Sequence, residues 1–598
     1  MNQLLRMIER QAEHKGLRDA IRYRDDATGT WEGITWSHFN TLSKEIALAM
    51  HALGVKTGDR IGLFSPNMPE MLITDFAAMR NRAIPVPIYS TLEVKEVQYI
   101  IDDAGIELLF VGAQEHYERA RKLSGLRRIV VYDRTVKLAT DDHDTIYFHG
   151  LYPLGHAADA AARDEVAKRT AEGAPTDLAC LIYTSGTTGD PKGVMLPHSC
   201  FDSQMESHLR RLSMLSDGDL AFSFLPLSHV FERGWVYFCL TRGMTVALNR
   251  NPRDVMRNLR EVNPNAMSNV PRFWEKVYIA INDKIKAMNW AKKLFVKYAE
   301  LVGRIRNIRY LGSGRQAPML IEQQYRFLEK AVFRQLRRVI GVERGKLFPT
   351  AGAKISDDIV RFLQSVGINI CVGYGLSETT ATVSCFPPTG YKIGSIGLPL
   401  ESVSVKIGDN NEILVKGPTV TSGYYRNPEA TAAAFTPDGY FRTGDAGSID
   451  AQGNLYITDR IKDLFKTSNG KYIAPQQLET LLPTDRYIEQ VAIIGDQRKF
   501  VSALVVPNFD NLRQYAEEEG IQATTDADLA GSELIHQMIS QRIDRMQEHL
   551  ASYQQVKRFT LLSRHFSVEN GELTNTLKLR RAVVNKNFRR EIEEMYKE

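Results

Sequence analysis

The sequence predicts an α/β protein of several parts: a large N-terminal region with two α/β subdomains and a small β subdomain, then a small α+β C-terminal domain. Three observations carry this. Helical and strand patterns alternate through residues 1–135 and resume beyond residue 220, as a mostly parallel sheet covered by helices requires. Between residues 390 and 458 the pattern turns to short strands separated by turn residues. At 598 residues the chain also exceeds what one hydrophobic core normally organises. Hydrophobic residues at 43% and charged residues at 25% are ordinary for a globular protein, and a net charge of +5 gives no reason to expect a nucleic-acid partner.

Taken in order, the N-terminal MNQLLRMIERQAEHKG reads as an amphipathic helix with acidic residues and no small-residue cleavage site, not as a signal peptide. RIGLFS (60–65), AIPVPI (83–88), ELLFVG (107–112) and RRIVVY (127–132) read as strands, and residues 35–54 and 90–105 as helices with hydroxyl caps. Residues 136–176, polar and rich in Ala and Asp, read as a surface connection. In FSFLPLSHVFERG (222–234) a strand ends near Pro226 and a polar loop begins at Ser228. Residues 279–346 carry basic helical segments, readable either as solvated helices or as a face for anionic membrane or cofactor phosphates. Residues 459–473 read as a linker, and the remainder as a small α+β domain with basic C-terminal helices. Cys180, Cys200, Cys239, Cys371 and Cys385 show neither metal-site nor disulfide-scaffold spacing, which suits a reducing compartment. No run approaches the roughly 18 apolar residues that span a bilayer. A cytoplasmic protein is expected.

The chemistry concentrates in three stretches. After the apolar run Leu178 to Tyr183 comes Thr184-Ser185-Gly186-Thr187-Thr188-Gly189-Asp190-Pro191-Lys192. Glycines let backbone N–H groups converge on an anion, hydroxyls add donors and Lys192 adds a charge, which together suit polyphosphate. It is not a Walker A loop, because Pro191 precedes the lysine and no Ser or Thr follows it. In GYGLSETTATVS (373–384), Tyr374 lies between Gly373 and Gly375, where a base could approach the backbone, while Glu378 offers a hard oxygen of the kind Mg²⁺ prefers, beside the Thr379 hydroxyl. A strand-to-helix turn capped by Ser377 explains the same residues equally well. The third stretch is GELTNTLKLRR (571–581), whose Lys578 would by spacing alone be an ordinary solvated lysine.

Together these stretches resemble the AMP-forming acyl-CoA synthetases of the adenylate-forming superfamily, over nearly the whole chain and in the family's order. LPLSHVFERG, NVPRFWEKVY, DRIKDLFKTSNGKYIAP and TLKLRR look closest to the long-chain fatty acid–CoA ligases. The resemblance implies ATP, Mg²⁺ and CoA, a fatty acid substrate, and formation of acyl-AMP followed by transfer to CoA. It implies that Thr184, Ser185, Gly186, Thr187, Thr188, Gly189 and Lys192 bind phosphates, with Thr184 and Glu378 at the metal. Tyr374, Gly375 and Thr379 belong to the adenylate motif; Gly352 and Ala353 occupy the adenine wall, where Ala351 replaces the first glycine of the usual pair. Asp445 in YFRTGD takes the ribose hydroxyls, Arg460 donates to the ribose or α-phosphate, and Lys578 is the catalytic lysine. As bare residues, Asp445 is also a turn Asp and Arg460 a surface ion-pair partner. His229 resembles the residue separating nucleotide and acyl pockets, with Gly234, Trp235 and Phe238 as tunnel or core. The implied division is 1–459, a hinge at 460–463 about Lys462, and a mobile domain at 464–598 whose Ser468-Asn469-Gly470 loop meets CoA. Rival readings are a fatty acyl-AMP ligase, a peptide-synthetase adenylation domain using Glu232 to anchor an amine, a luciferase-type oxygenase, and a non-catalytic nucleotide sensor. A monomer or homodimer is expected, with peripheral contact at the inner membrane face left open.

Overall fold

The computed structural model describes residues 1–184, 190–468, 472–574 and 578–597, the side chains of Lys466 and Tyr472 excepted. Its first sheet is wholly parallel, in the spatial order Ile84–Ile88, Arg60–Phe64, Leu108–Val111, Arg128–Val131, Thr145–Tyr147. Three of these strands are buried almost throughout, as the near-continuous apolar runs of a sheet covered on both faces should be. Residues 136–176 are more than a connection. They supply the fifth strand and the helix Ala160–Glu172, whose N-terminus is capped by Asp159 accepting from the Ala162 N–H at 2.8 Å. The helix Trp36–Ala52 has the expected hydroxyl cap, Thr35, whereas Val94–Ala104 is closed by Glu93 and Glu96, the Glu93 N–H donating to the Glu96 carboxylate at 3.2 Å.

The second sheet runs Ala266–Met267, Leu220–Ser223, Thr245–Leu248, Asp19–Arg24, Trp31–Thr35. Its last two strands are an antiparallel hairpin from the chain's start, pairing in parallel with a strand more than 200 residues later. Bridges Ala266↔Leu347 and Asn269↔Thr350 carry it into a third sheet containing Phe348–Thr350 and Ile370–Tyr374. Ser404–Ile407, Glu412–Lys416, Phe441–Ile449 and Leu455–Arg460 form the antiparallel β subdomain. From Phe465 onward the buried apolar residues make a core of their own around the sheet Ile488–Ile494, Val501–Pro507 and Val556–Leu561. The stretch read as a linker contains a short pairing of Phe465–Lys466 with Tyr472–Ile473. Arg272 donates to Glu489 at 3.2 Å and Arg486 lies 3.6 Å from Asp283, so the helix Pro271–Lys286 holds this C-terminal part against the large one.

Candidate active site

Thr184 ends the strand Leu178–Thr184 and lies opposite Lys192, the first residue of the antiparallel strand Lys192–Pro197. Residues 185–189, the heart of the hydroxyl-rich loop, lie outside the described residues. The hairpin packs on Ile84–Ile88 through one strand. Through the other it meets a segment that sequence reasoning passed over: the Met195 N–H donates to the Gly423 carbonyl at 3.0 Å, and the Tyr425 N–H to the Gly193 carbonyl at 2.8 Å. Tyr424 therefore stands beside Lys192, whose ammonium lies 5.1 Å from the ring centroid. Its hydroxyl donates to Glu378 Oε1 at 2.9 Å. The Thr421 N–H donates to the Glu378 carbonyl, and the Thr380 hydroxyl to the Thr419 carbonyl, both at 2.7 Å. Residues 419–425 thus stitch the hairpin to the Glu378 turn. Their only sequence signal is Thr, Gly and Tyr between two strands, which specifies no partner.

Tyr374 ends the strand Ile370–Tyr374, and Gly375 follows where a Cβ would lie 1.9 Å from the Ala381 carbonyl oxygen. Only glycine permits that approach. The Tyr374 hydroxyl donates to Asp445 Oδ2 at 2.6 Å, and Arg460 Nε lies 3.5 Å from Asp445 Oδ1. Asp445 and Arg460 face each other directly across adjacent antiparallel strands. Thr379 is buried, its hydroxyl accepting from the Leu376 N–H at 2.9 Å. Gly352, at φ +94°, and Ala353 are exposed on the loop after Phe348–Thr350.

The C-terminal part delivers Lys578 to this cluster. The Thr574 N–H donates to the Lys578 carbonyl at 2.7 Å and the Lys578 N–H to the Thr574 hydroxyl at 3.0 Å, which leaves the ammonium within electrostatic reach of Arg460, Asp445 and Glu378. The surrounding protein, and then Arg460, push Lys578 down to about 8 although its side chain keeps contact with water. Burial raises Asp445 and Glu378 above the usual carboxylate range, against the pull of Arg460 on both. Two carboxylates, one guanidinium and one ammonium thus share a partly desolvated cleft.

His229 precedes the helix Val230–Arg242, its Nδ1 accepting from the Phe231 N–H at 3.1 Å; burial, and then Lys578, lower it to about 4, so it is neutral at pH 7. Its loop is fixed from beneath. Arg233 donates to Asp75 at 2.6 Å and to the Leu227 carbonyl at 3.1 Å, and Asn67 accepts from the Leu227 N–H at 2.9 Å. Arg233 and Asp75 are fully buried, so each needs the other. Beyond this loop a narrow cavity of about 30 Å³, nearly filled by its own side chains, is lined by Phe231, Gly234, Trp235, Ala351, Tyr374 and Ala381, among others. Gly234 and Trp235 therefore line it, whereas Phe238 is core, packed against Trp235 and His208. Glu232 is buried away from the cavity, hydrogen-bonded to Ser268 and pushed up to about 8 by desolvation. Of the CoA set, Asn469 and Gly470 lie outside the described residues, and Ser468, like Lys462, is exposed, its N–H donating to the Arg498 carbonyl at 2.9 Å within the C-terminal part.

Comparison with known proteins matches residues 8–425 to the AMP-binding enzyme family and residues 462–598 to the AMP-binding enzyme C-terminal domain. The chain is 30% identical over 586 residues to long-chain-fatty-acid–CoA ligase FadD15 of Mycobacterium tuberculosis, covering 97% of this chain and 94% of that one. It is 28% identical over 600 residues to human long-chain-fatty-acid–CoA ligase 1, covering 95% and 82%. Among solved structures it is similar to the anthranilate CoA ligase AuaEII in complex with anthranoyl-AMP, with a TM-score of 0.73 at 19% identity, covering 99% of this chain and 98% of that one. The adenylation domain of a carboxylate reductase from Mycobacterium chelonae has the same TM-score at 20% identity, covering 100% and 91%. These structures share the fold: a large N-terminal domain and a smaller C-terminal one.

Proposed function

The chain belongs to the AMP-binding enzyme family, and from that premise we propose that it is a long-chain fatty acid–CoA ligase. A fatty acid carboxylate oxygen attacks the α-phosphorus of ATP and expels pyrophosphate; the CoA sulfur then attacks the acyl carbonyl and AMP leaves. The observation that supports this best is the meeting of Tyr374, Asp445, Arg460 and Lys578 beside a narrow apolar cavity, with Glu378 and Lys192 joined to each other through Tyr424.

In this reading Asp445 accepts from the ribose hydroxyls and Arg460 donates to the ribose or α-phosphate, while Gly352, Ala353, Tyr374, Gly375 and Thr379 bound the adenine and adenylate. The 184–189 loop and Lys192 cradle the outgoing phosphates. Lys578 neutralises charge gathering on the carboxylate and α-phosphate as they approach, a contribution of roughly 3–4 kcal/mol for a well-placed donor. Mg²⁺ is assigned to Glu378 and Thr184. Among the described residues no cluster of three or more His, Cys, Asp or Glu could hold an ion unaided. One carboxylate and one hydroxyl oxygen would suit a Mg²⁺ that keeps waters and substrate phosphates as its main ligands, where it would neutralise phosphate charge. Neutral His229 separates nucleotide from acyl chain. Because Glu232 lies away from the cavity and is pushed up to about 8, the amine-anchoring alternative loses its carboxylate at neutral pH.

The reading divides the chain into 1–459, a hinge at 460–463 including Lys462, and 464–598, rotation of which withdraws Lys578 and brings Ser468, Asn469 and Gly470 toward pantetheine. It takes the protein to work as a monomer or homodimer in the cytoplasm and leaves contact with the membrane's inner face open. No helix of the described residues is long and apolar enough to cross a membrane. The test is AMP release with and without CoA over acids from acetate to arachidate. CoA-dependent release that peaks among the long acids supports the reading. Release without need of CoA turns it into an acyl-AMP ligase, and no release with any fatty acid refutes it.

A further inference from the structure

The basic segment that sequence reading left with two explanations contains an unpartnered apolar stripe. The helix Trp290–Gly303 is docked through Ala299, Val302 and Gly303, so closely that a Cβ on Gly303 would lie 2.1 Å from the Ser365 carbonyl oxygen. On the face turned away from that contact, Trp290, Leu294, Tyr298 and Leu301 recur at helical spacing. They are 78%, 63%, 43% and 43% exposed, which for four large apolar side chains in line is not an accident of packing. Lys293 and Lys297, one turn apart, run along the stripe's edge, and Arg304 continues them; none makes an ion pair among the described residues. The helix Met319–Leu328, packed against this one, also exposes Met319, Leu320 and Phe327.

The charge of the region narrows what can cover the stripe. Residues 284–340 hold fourteen Lys and Arg against three Glu, a net +11 in a chain whose total is +5, so the rest of the protein is net negative. Two of the three carboxylates are already engaged: Glu322 with Arg306 at 2.9 Å and Glu329 with Arg337. A second copy seated on the same face would bring two such positive regions together, because an isologous contact pairs a patch with itself. An anionic surface of low polarity satisfies both features at once. Trp and Tyr settle at the headgroup level, Leu reaches the acyl boundary and Lys and Arg meet lipid phosphates.

We propose that the exposed face of Trp290–Gly303 docks on an anionic phospholipid membrane. The proposal rests on the fatty-acid reading for its purpose, since a long acid partitions into membranes, but not for its geometry. The protein would take its substrate from the surface on which it sits.

The test is co-sedimentation of the full chain with vesicles of phosphatidylcholine alone and of an equal mixture of phosphatidylcholine and phosphatidylglycerol. The mixed vesicles should capture the protein, the neutral ones should not, and added salt should release it. Lys293→Gln with Lys297→Gln should weaken capture about 25-fold, at roughly fivefold per charge near the surface. Leu294→Ser should weaken it about tenfold or more through lost apolar burial. Neither change should alter turnover of a dispersed, water-soluble fatty acid, so that assay tests the ligase reading separately. Failure of the wild type to bind mixed vesicles overturns the proposal, as does unchanged capture of the variants. A concentration-dependent dimer that Leu294→Ser dissolves, without vesicle capture, overturns it in favour of self-association.

Discussion

Lys578 is lowered to about 8, and that brings a pH dependence of the adenylation step into the range between pH 7 and 9, where a lysine at its ordinary value would stay charged. A lysine with a depressed value carries its charge below that value and loses it as pH rises through it. About 90% of the free enzyme should carry the ammonium at pH 7 and about 10% at pH 9. Because kcat/KM reports the free enzyme, kcat/KM for ATP in the adenylation half-reaction should fall about tenfold between those two pH values. Saturating ATP, whose phosphates favour the charged form, should move the fall in kcat to higher pH. Lys578→Arg keeps its charge throughout and should give a flat profile over the same window at a lower plateau, its planar fork being a poor substitute for a point charge. Pyrophosphate release measures the first half-reaction; thioester formation from supplied acyl-adenylate measures the second, which should not share the decline. An equal fall in Lys578→Arg, or a parallel fall in both half-reactions, would refute the assignment of the titration to Lys578.

The remaining predictions concern one role, one contact and two buried carboxyls. Lys578→Ala should lower adenylation about 10²–10³-fold yet spare thioester formation from acyl-adenylate, and equal damage to both would remove it from the chemistry. Gly375→Ala forces a Cβ to within 1.9 Å of the Ala381 carbonyl oxygen, so ATP-dependent kcat/KM should drop at least tenfold with the fold preserved by circular dichroism; wild-type kinetics would contradict the close approach. Asp75→Ala leaves Arg233 buried without its partner and should cost about 3–5 kcal/mol in urea unfolding, against which a loss under about 1 kcal/mol would count. Glu232, pushed up from 4.5 to about 8, favours the folded state most at low pH and loses that advantage as pH rises toward 8. The stability of Glu232→Gln relative to wild type should therefore increase across that interval, and a pH-independent difference would show that Glu232 is not held neutral.

How legible this was depended on whether a residue's partner was near in sequence. The parallel strands of the first sheet are short apolar runs, and nearly all were readable within a residue or two. The helix Ala160–Glu172 was not, because its Ala- and Asp-rich composition resembles a loop; Asp159 three residues before Ala162 was the cap signal available. The hairpin Asp19–Arg24 with Trp31–Thr35 could be seen as strands in principle, but nothing local says that it pairs with Thr245–Leu248. The same limit applies to the candidate site. Glycines and hydroxyls beside Lys192 announce an anion site by their own chemistry, while the Tyr374–Asp445 hydrogen bond joins residues 71 apart, for which family resemblance was the only guide. Tyr424 had neither kind of signal, and its connection of Lys192 to Glu378 emerged only from the fold.

The backbone after Glu378 explains why that connection is built where it is. Thr380 and Ala381 both adopt left-handed conformations, φ +51° and +76°, which cost non-glycine residues about 1–3 kcal/mol each. Such a conformation persists only where neighbours over-determine it. Here they do: Ala381 donates to the Leu376 carbonyl at 3.1 Å, Thr380 holds the Thr419 carbonyl, and Thr421 holds that of Glu378. Gly375 supplies the room in which Ala381 turns back on the strand. The strained pair reverses the chain within a few residues, placing Tyr374 against Asp445 on one side and Glu378 against Tyr424 on the other. A relaxed turn of glycines would carry less strain, but it would not hold a buried tyrosine and a carboxylate at fixed separation, as the proposed nucleotide site requires.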